Sequence, residues 1–75
     1  MKKNRYKTSD LEQDVDYRVR EALANKGLSL DVLVNDEDAE VRAAVARHGY
    51  GLKDLVHDED PVVRAAVAEQ KYKLP

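Results

Sequence analysis

The sequence predicts an all-α chain in which three pairs of helices stack side by side, and three observations predict it. The block Val41-Arg42-Ala43-Ala44-Val45-Ala46 recurs as Val19-Arg20-Glu21-Ala22-Leu23-Ala24 and as Val63-Arg64-Ala65-Ala66-Val67-Ala68, displaced by 22 residues each time. Self-similarity at a short fixed period marks a repeat architecture. An acidic triplet stands ahead of every block: Asp14-Val15-Asp16, Asp36-Glu37-Asp38 and Asp58-Glu59-Asp60. The apolar residues are mainly Ala, Val and Leu with four Tyr and no Trp or Phe, a composition for helices in close contact.

Each unit divides into a longer and a shorter helix. The longer helices are expected near 17–26, 39–48 and 61–71. Asp16, Asp38 and Asp60 are suited to be their N-caps, because a carboxylate accepts from the free amides of a first turn. Pro61 occupies the first helical position of the third, where its missing N–H costs nothing. Gly27 and Gly49 follow the first two, as a left-handed C-terminal residue does; the third copy has Lys71 there, leaving its end less defined. Helical spacing puts Val19, Ala22 and Leu23, then Val41, Ala44 and Val45, then Val63, Ala66 and Val67, toward the core. Ala24, Ala46 and Ala68 add a second small-residue stripe, as a helix lying between two neighbours requires.

The shorter helices are expected near 30–35 and 52–57, with Leu30, Leu33 and Val34, and Leu52, Leu55 and Val56, as contact edges. They are short enough for 3₁₀ geometry. One period earlier, Ser9 to Gln13 is a degenerate copy. Ser9 and Glu12 have capping-box spacing, which is also compatible with one long helix running into Val15. The whole is a single domain, 1–75: a basic segment with a half-repeat (1–13), repeats at 14–35 and 36–57, and a truncated repeat at 58–75. The stop at Leu74-Pro75 leaves two readings open, a last unit cut short or an excerpt of a longer solenoid.

Composition excludes several function classes. Without cysteine there is no disulfide, iron–sulfur cluster or thiolate zinc site. Thirteen Lys and Arg against fifteen Asp and Glu leave a net charge of −2, not the basic footprint of a general nucleic-acid binder. No apolar run is long enough to cross a bilayer, and no apolar signal-peptide core follows basic Met1–Arg5, so no membrane partner and a cytoplasmic setting are expected.

The motif Asp-x-Asp-x-x-Val-Arg-x-Ala-Val-Ala, then a turn and Leu-x-x-Leu, resembles HEAT-like repeats, most closely the short leucine-rich variant class. The resemblance covers 14–75 well and 6–13 weakly. It implies a right-handed α-solenoid with alternating longer and shorter helices, and Asp–Arg pairing between units. The 22-residue unit is shorter than an ordinary HEAT unit, which argues for one truncated helix per pair. Some leucine-rich variant proteins carry a cysteine-ligated cluster, which this chain cannot.

The most regular polar column is Arg20, Arg42 and Arg64. It is either a basic ladder that grips phosphates or acidic peptides, or a set of ion pairs with the acidic triplets. Aspartates recur at the same period, so the structural reading is preferred. Helix capping and Arg pairing also explain the triplets better than Ca²⁺, whose loops need a glycine and a distal glutamate. Tyr6, Tyr50 and Tyr72 share a turn column with Leu28, which favours packing across the seam between units over a binding edge; Tyr17 is expected at the surface. His48 and His57 fall in columns filled by other polar residues, so no metal site is expected. No nucleophile–base pair or phosphate-cradling loop is visible, so neither catalysis nor a cofactor is expected.

The function expected is a non-catalytic scaffold for a protein or peptide, with Arg20, Arg42, Arg64, Tyr50 and Tyr72 as candidate contacts or structural ladder. The alternatives are weak nucleic-acid binding through the Arg column and basic N-terminus, or a structural fragment of a longer solenoid. A monomer, or weak end-to-end association, is expected.

Overall fold

Each long helix starts where a carboxylate can hold its first free amides. In the computed structural model, which describes residues 7–71, Asp16, Asp38 and Asp60 accept from the backbone N–H of Arg18, Glu40 and Val62 at 2.8–2.9 Å. The long helices are α2 (Tyr17–Asn25), α4 (Ala39–Arg47) and α6 (Pro61–Lys71). Short helices α1 (Thr8–Leu11), α3 (Leu30–Leu33) and α5 (Leu52–Leu55) alternate with them. All regular structure among the described residues is helical.

The first two long helices end alike. The N–H of Gly27 donates to the carbonyl of Ala24 and that of Leu28 to Leu23; Gly49 and Tyr50 repeat this with Ala46 and Val45. This pair of bonds is a Schellman motif, which needs a left-handed residue after the cap; Gly27 and Gly49 supply φ of 80° and 83°. The motif places Leu28 and Tyr50 where an apolar side chain closes over the helix end. With no glycine at its own end, α6 continues to Lys71 and has 11 residues against nine in α2 and α4.

The short helices are single turns. Their bodies carry i→i−4 bonds (Leu33 to Ser29, Leu55 to Gly51), and they close with i→i−3 bonds (Asp36 to Leu33, Asp58 to Leu55). They are α-helical, with 3₁₀ geometry confined to their ends. At the N-terminus the expected Ser9–Glu12 box is not formed. Helix α1 starts one residue earlier, the N–H of Lys7 donates to Asp10 Oδ2 at 3.0 Å, and the chain turns at Glu12 and Gln13 before Val15. Glu12 is used elsewhere: its carboxylate accepts from Ser29 Oγ at 2.6 Å, tying the first turn to α3. A tertiary bond has displaced a local one.

The long helices lie in a row. Helix α4 packs against both α2 and α6, while α2 and α6 do not meet. Arg20 in α2 reaches Asp36, just ahead of α4, so their starts are adjacent. At the other end a Cβ on Gly27, after α2, would stand 2.6 Å from the ring of His48, the C-cap residue of α4. The two helices therefore run in the same direction. Arg42 reaches Asp58, just ahead of α6, as Arg20 reaches Asp36.

Burial follows position in this row. The core holds Leu23 and Ala24 of α2; Val41, Ala43, Ala44, Val45 and Ala46 of α4; Val63, Ala66 and Val67 of α6; and Leu33 and Leu55. Burying a Val side chain contributes about 1.5–3 kcal/mol, so Val41, Val45 and Val63, all fully buried, are central to stability. Three expected core positions differ. Ala22 is exposed and Val19 only half-buried because no long helix precedes α2 among the described residues. Ala68 is exposed because none follows α6 among the described residues. Conversely Ala43 is fully buried, on the face of α4 that α6 covers.

One close approach constrains substitution. Gly51, ahead of α5, has φ 68°, and a Cβ there would stand 2.8 Å from Val34 Cγ2. The same column holds Ser29, also left-handed at φ 54°, facing Glu12 where Gly51 faces Val34. Gly51→Ala is expected to cost about 1–3 kcal/mol, combining left-handed strain with displacement of Val34. Gly49→Ala meets open space and bears only the strain, about 1–2 kcal/mol. Urea midpoints of the two variants check the difference; a Gly51→Ala protein as stable as Gly49→Ala would mean that the Val34 contact yields freely.

Candidate functional site

The long helices begin along one edge of the row, and their arginines stand one turn in. The guanidinium groups of Arg20 and Arg42 each reach back to their own triplet and forward to the next. Arg20 Nη1 donates to the Asp14 carbonyl at 2.6 Å, while its Nε and Nη2 donate to Asp36 Oδ2 and Oδ1 at 2.8 and 3.1 Å. Arg42 repeats this one unit on: Nη1 to the Asp36 carbonyl at 2.7 Å, Nε and Nη2 to Asp58 Oδ2 and Oδ1 at 2.8 and 3.0 Å. These are bidentate fork-on-carboxylate contacts, which fix geometry as well as supply energy.

The aspartates are occupied a second time. Asp14, Asp36 and Asp58 each accept, through Oδ1, the N–H of the second Asp in their triplet, at 2.9 Å. First and second aspartates thus have separate tasks. The first folds the triplet and, at Asp36 and Asp58, also binds the preceding Arg; the second caps the helix.

Both pairs are sheltered. Side-chain exposure is 9% and 7% for Arg20 and Asp36, and 12% and 9% for Arg42 and Asp58. No buried side-chain polar atom among the described residues lacks a partner. Hydrogen bonding from Arg42 holds the Asp58 carboxyl below its ordinary value near 3.8, against the opposing effect of burial. Hydrogen bonds from the Arg18 side chain and then its backbone lower Asp16 to about 2.

The sign of the pH dependence follows. A carboxyl depressed in the folded state binds fewer protons than it does unfolded, so its contribution is complete above the ordinary value near 3.8 and is lost as pH falls through the folded one. The melting temperature is expected to hold from pH 7 to about 5 and to drop between about 4 and 2. Arg42→Lys should flatten part of that drop, since it removes the fork on Asp58. An unchanged acid slope in that variant would separate Asp58 from acid unfolding.

Arg64 differs from its counterparts. Its Nη1 donates to the carbonyls of Asp58 and Glu59 at 2.7 and 3.0 Å, but its guanidinium meets no carboxylate among the described residues, and it is exposed. Tyr50 lies at the opposite end of the long helices as a half-open Schellman residue, 41% exposed, in the same column as Leu28 at 43%. Tyr6 and Tyr72 lie outside the described residues. Tyr17 is at the surface, 39% exposed. His48 and His57 are exposed and on different turns. No group of His, Asp and Glu able to hold a metal occurs among the described residues.

What remains open along the ladder is acidic. One groove is lined by Glu12, Asp14, Asp36 and Glu37 around Arg20. A second, by Asp36, Asp54, Asp58 and Glu59 around Arg42. Because the arginines are committed to aspartates, carboxylates outnumber free cationic groups in both. The periodicity of Arg points to a basic column; the Asp that neutralises Arg20 and Arg42 makes the surface around them acidic.

The fold and ladder define an all-helical chain in which one helix–triplet contact is built twice in the same way. Compared with family models, with curated proteins and with solved structures, the chain gives no match. Among the described residues no helix is long and apolar enough to cross a membrane.

Proposed function

We propose that the chain is a short right-handed α-solenoid of the HEAT-like, leucine-rich variant kind, acting as a non-catalytic scaffold that binds an extended basic segment of a protein or peptide. The observation that carries this reading is the recurrence, at the 22-residue interval, of the same carboxylate-lined groove beside a sheltered Arg–Asp pair. An extended ligand meets equivalent chemistry at both sites, so a Lys or Arg repeated along it can be read twice. The exposed Leu28 and Tyr50 column offers a second, apolar edge. A cytoplasmic setting belongs to the same proposal.

Nucleic-acid binding is the weaker reading, because Arg20 and Arg42 already hold carboxylates and the grooves around them are acidic. The reading as part of a longer solenoid is compatible with the open faces of α2 and α6.

Amide-shift titration at low salt tests the assignment, with a Lys/Arg-containing peptide, an acidic peptide of equal length and a single-stranded oligonucleotide. The basic peptide is expected to move Asn35, Glu37 and Glu59, and the other two to move nothing. Binding of the oligonucleotide with a steep salt dependence, or no response to the basic peptide, would overturn it.

A further inference from the structure

Among the described residues the ladder is open at both ends, and the two ends are complementary. Arg20 and Arg42 each clamp the first Asp of the next triplet. Arg64 carries the same guanidinium on the same turn, held at the same carbonyl, with no carboxylate ahead of it among the described residues. Asp14 carries the same carboxylate in the same Asx arrangement, accepting the N–H of Asp16, with no guanidinium behind it among the described residues.

The helix faces beside these groups match in the same way. In α4, Ala44 is buried, and its counterpart Ala22 in α2 is exposed. Ala43 and Ala46 of α4 are buried, and their counterparts Ala65 and Ala68 in α6 are exposed. The open side of α6 thus repeats the surface that α4 presents to α6, and the open side of α2 repeats the surface that α6 presents to α4.

We infer that a second copy of this chain docks head to tail, its Asp14 accepting the Arg64 fork and its α2 lying along the open side of α6. The contact is the third instance of one already made twice within the chain. It joins two different surfaces, so it leaves one of each free and propagates into open rows instead of closing as a symmetric dimer. The inference rests on the stacked arrangement underlying the proposed function, but not on peptide binding.

Sedimentation velocity over a concentration series tests it, using the parent chain, Arg64→Met and Asp14→Asn. The first variant keeps the apolar stem of the side chain, and the second keeps an acceptor for the Asp16 N–H; thermal melts confirm that both are folded. The parent's average mass is expected to rise with concentration beyond that of a dimer and to fall with added salt. Each variant alone should associate roughly tenfold or more weakly. An equimolar mixture should form dimers and stop there, because only one intact Arg64–Asp14 interface can be built per pair. A parent monomeric at every concentration, a parent that stops at the dimer, or variants that associate like the parent would overturn the inference. A monomeric parent that still binds the basic peptide would leave the proposed function standing.

Discussion

Arg42→Ala is expected to destabilise the chain by about 3–5 kcal/mol, the cost of removing one partner from a sheltered ion pair. The loss has two parts. Asp58 keeps its charge at 9% side-chain exposure with only the Asp60 N–H to solvate it. The Asp36 carbonyl loses the Nη1 donor that joined the triplet to the helix it precedes. A domain of 75 residues has about 4–11 kcal/mol in total, so most of the population should unfold near physiological temperature. Arg42→Lys should fall between, since an ammonium keeps the charge but cannot match the two oxygens of Asp58 in parallel. Arg64→Ala provides the internal reference: the same residue type on the same turn, but exposed and without a carboxylate. It should change stability by no more than about 1 kcal/mol. Urea midpoints with unchanged slopes read all three. If Arg42→Ala and Arg64→Ala cost the same, the Asp58 pair contributes little and the angle between α4 and α6 is set by the apolar contacts alone.

The parts of the structure that could be read from the sequence are those in which a short segment decides its own outcome. Asp16, Asp38 and Asp60 cap their helices because a carboxylate at that position has few better uses, and Gly27 and Gly49 turn left-handed because Gly does so at little cost. The period then placed the remaining elements to within a few residues. What could not be read depends on neighbours. Ala22 and Ala44 occupy the same column in nearly the same block, yet one is exposed and the other buried; only the row order of the helices distinguishes them. Glu12 has the right spacing to cap α1 and instead binds Ser29, 17 residues away, a competition that local spacing does not reveal. The arginine column was legible as a repeated feature with two readings. Which first Asp each Arg selects, its own or the next, is fixed by the distance between adjacent helices, and that distance follows from the small alanines between them.

The alanine column provides the most discriminating substitution. Ala44→Glu is expected to abolish cooperative folding, while Ala22→Glu, the same change one unit earlier, is expected to stay within about 0.5 kcal/mol of the parent. Ala44 has no exposed surface and lies in a helix packed on both sides. A glutamate there must either carry an unpaired charge into an apolar seam or force its neighbours apart to reach water. Either outcome costs several kcal/mol, comparable to the whole stability of a domain this small. Ala22 is exposed on α2, so its glutamate stays in water and adds a good helix former. Ala66, buried like Ala44 but in the last helix of the row, should respond as Ala44 does, since α4 covers it. Thermal melts followed by far-ultraviolet circular dichroism separate the three, with a cooperative transition retained for Ala22→Glu and lost for the other two. A folded Ala44→Glu protein would mean that α4 is not enclosed between α2 and α6 in solution, and the order of the row, on which the ladder and its open ends depend, would have to be abandoned.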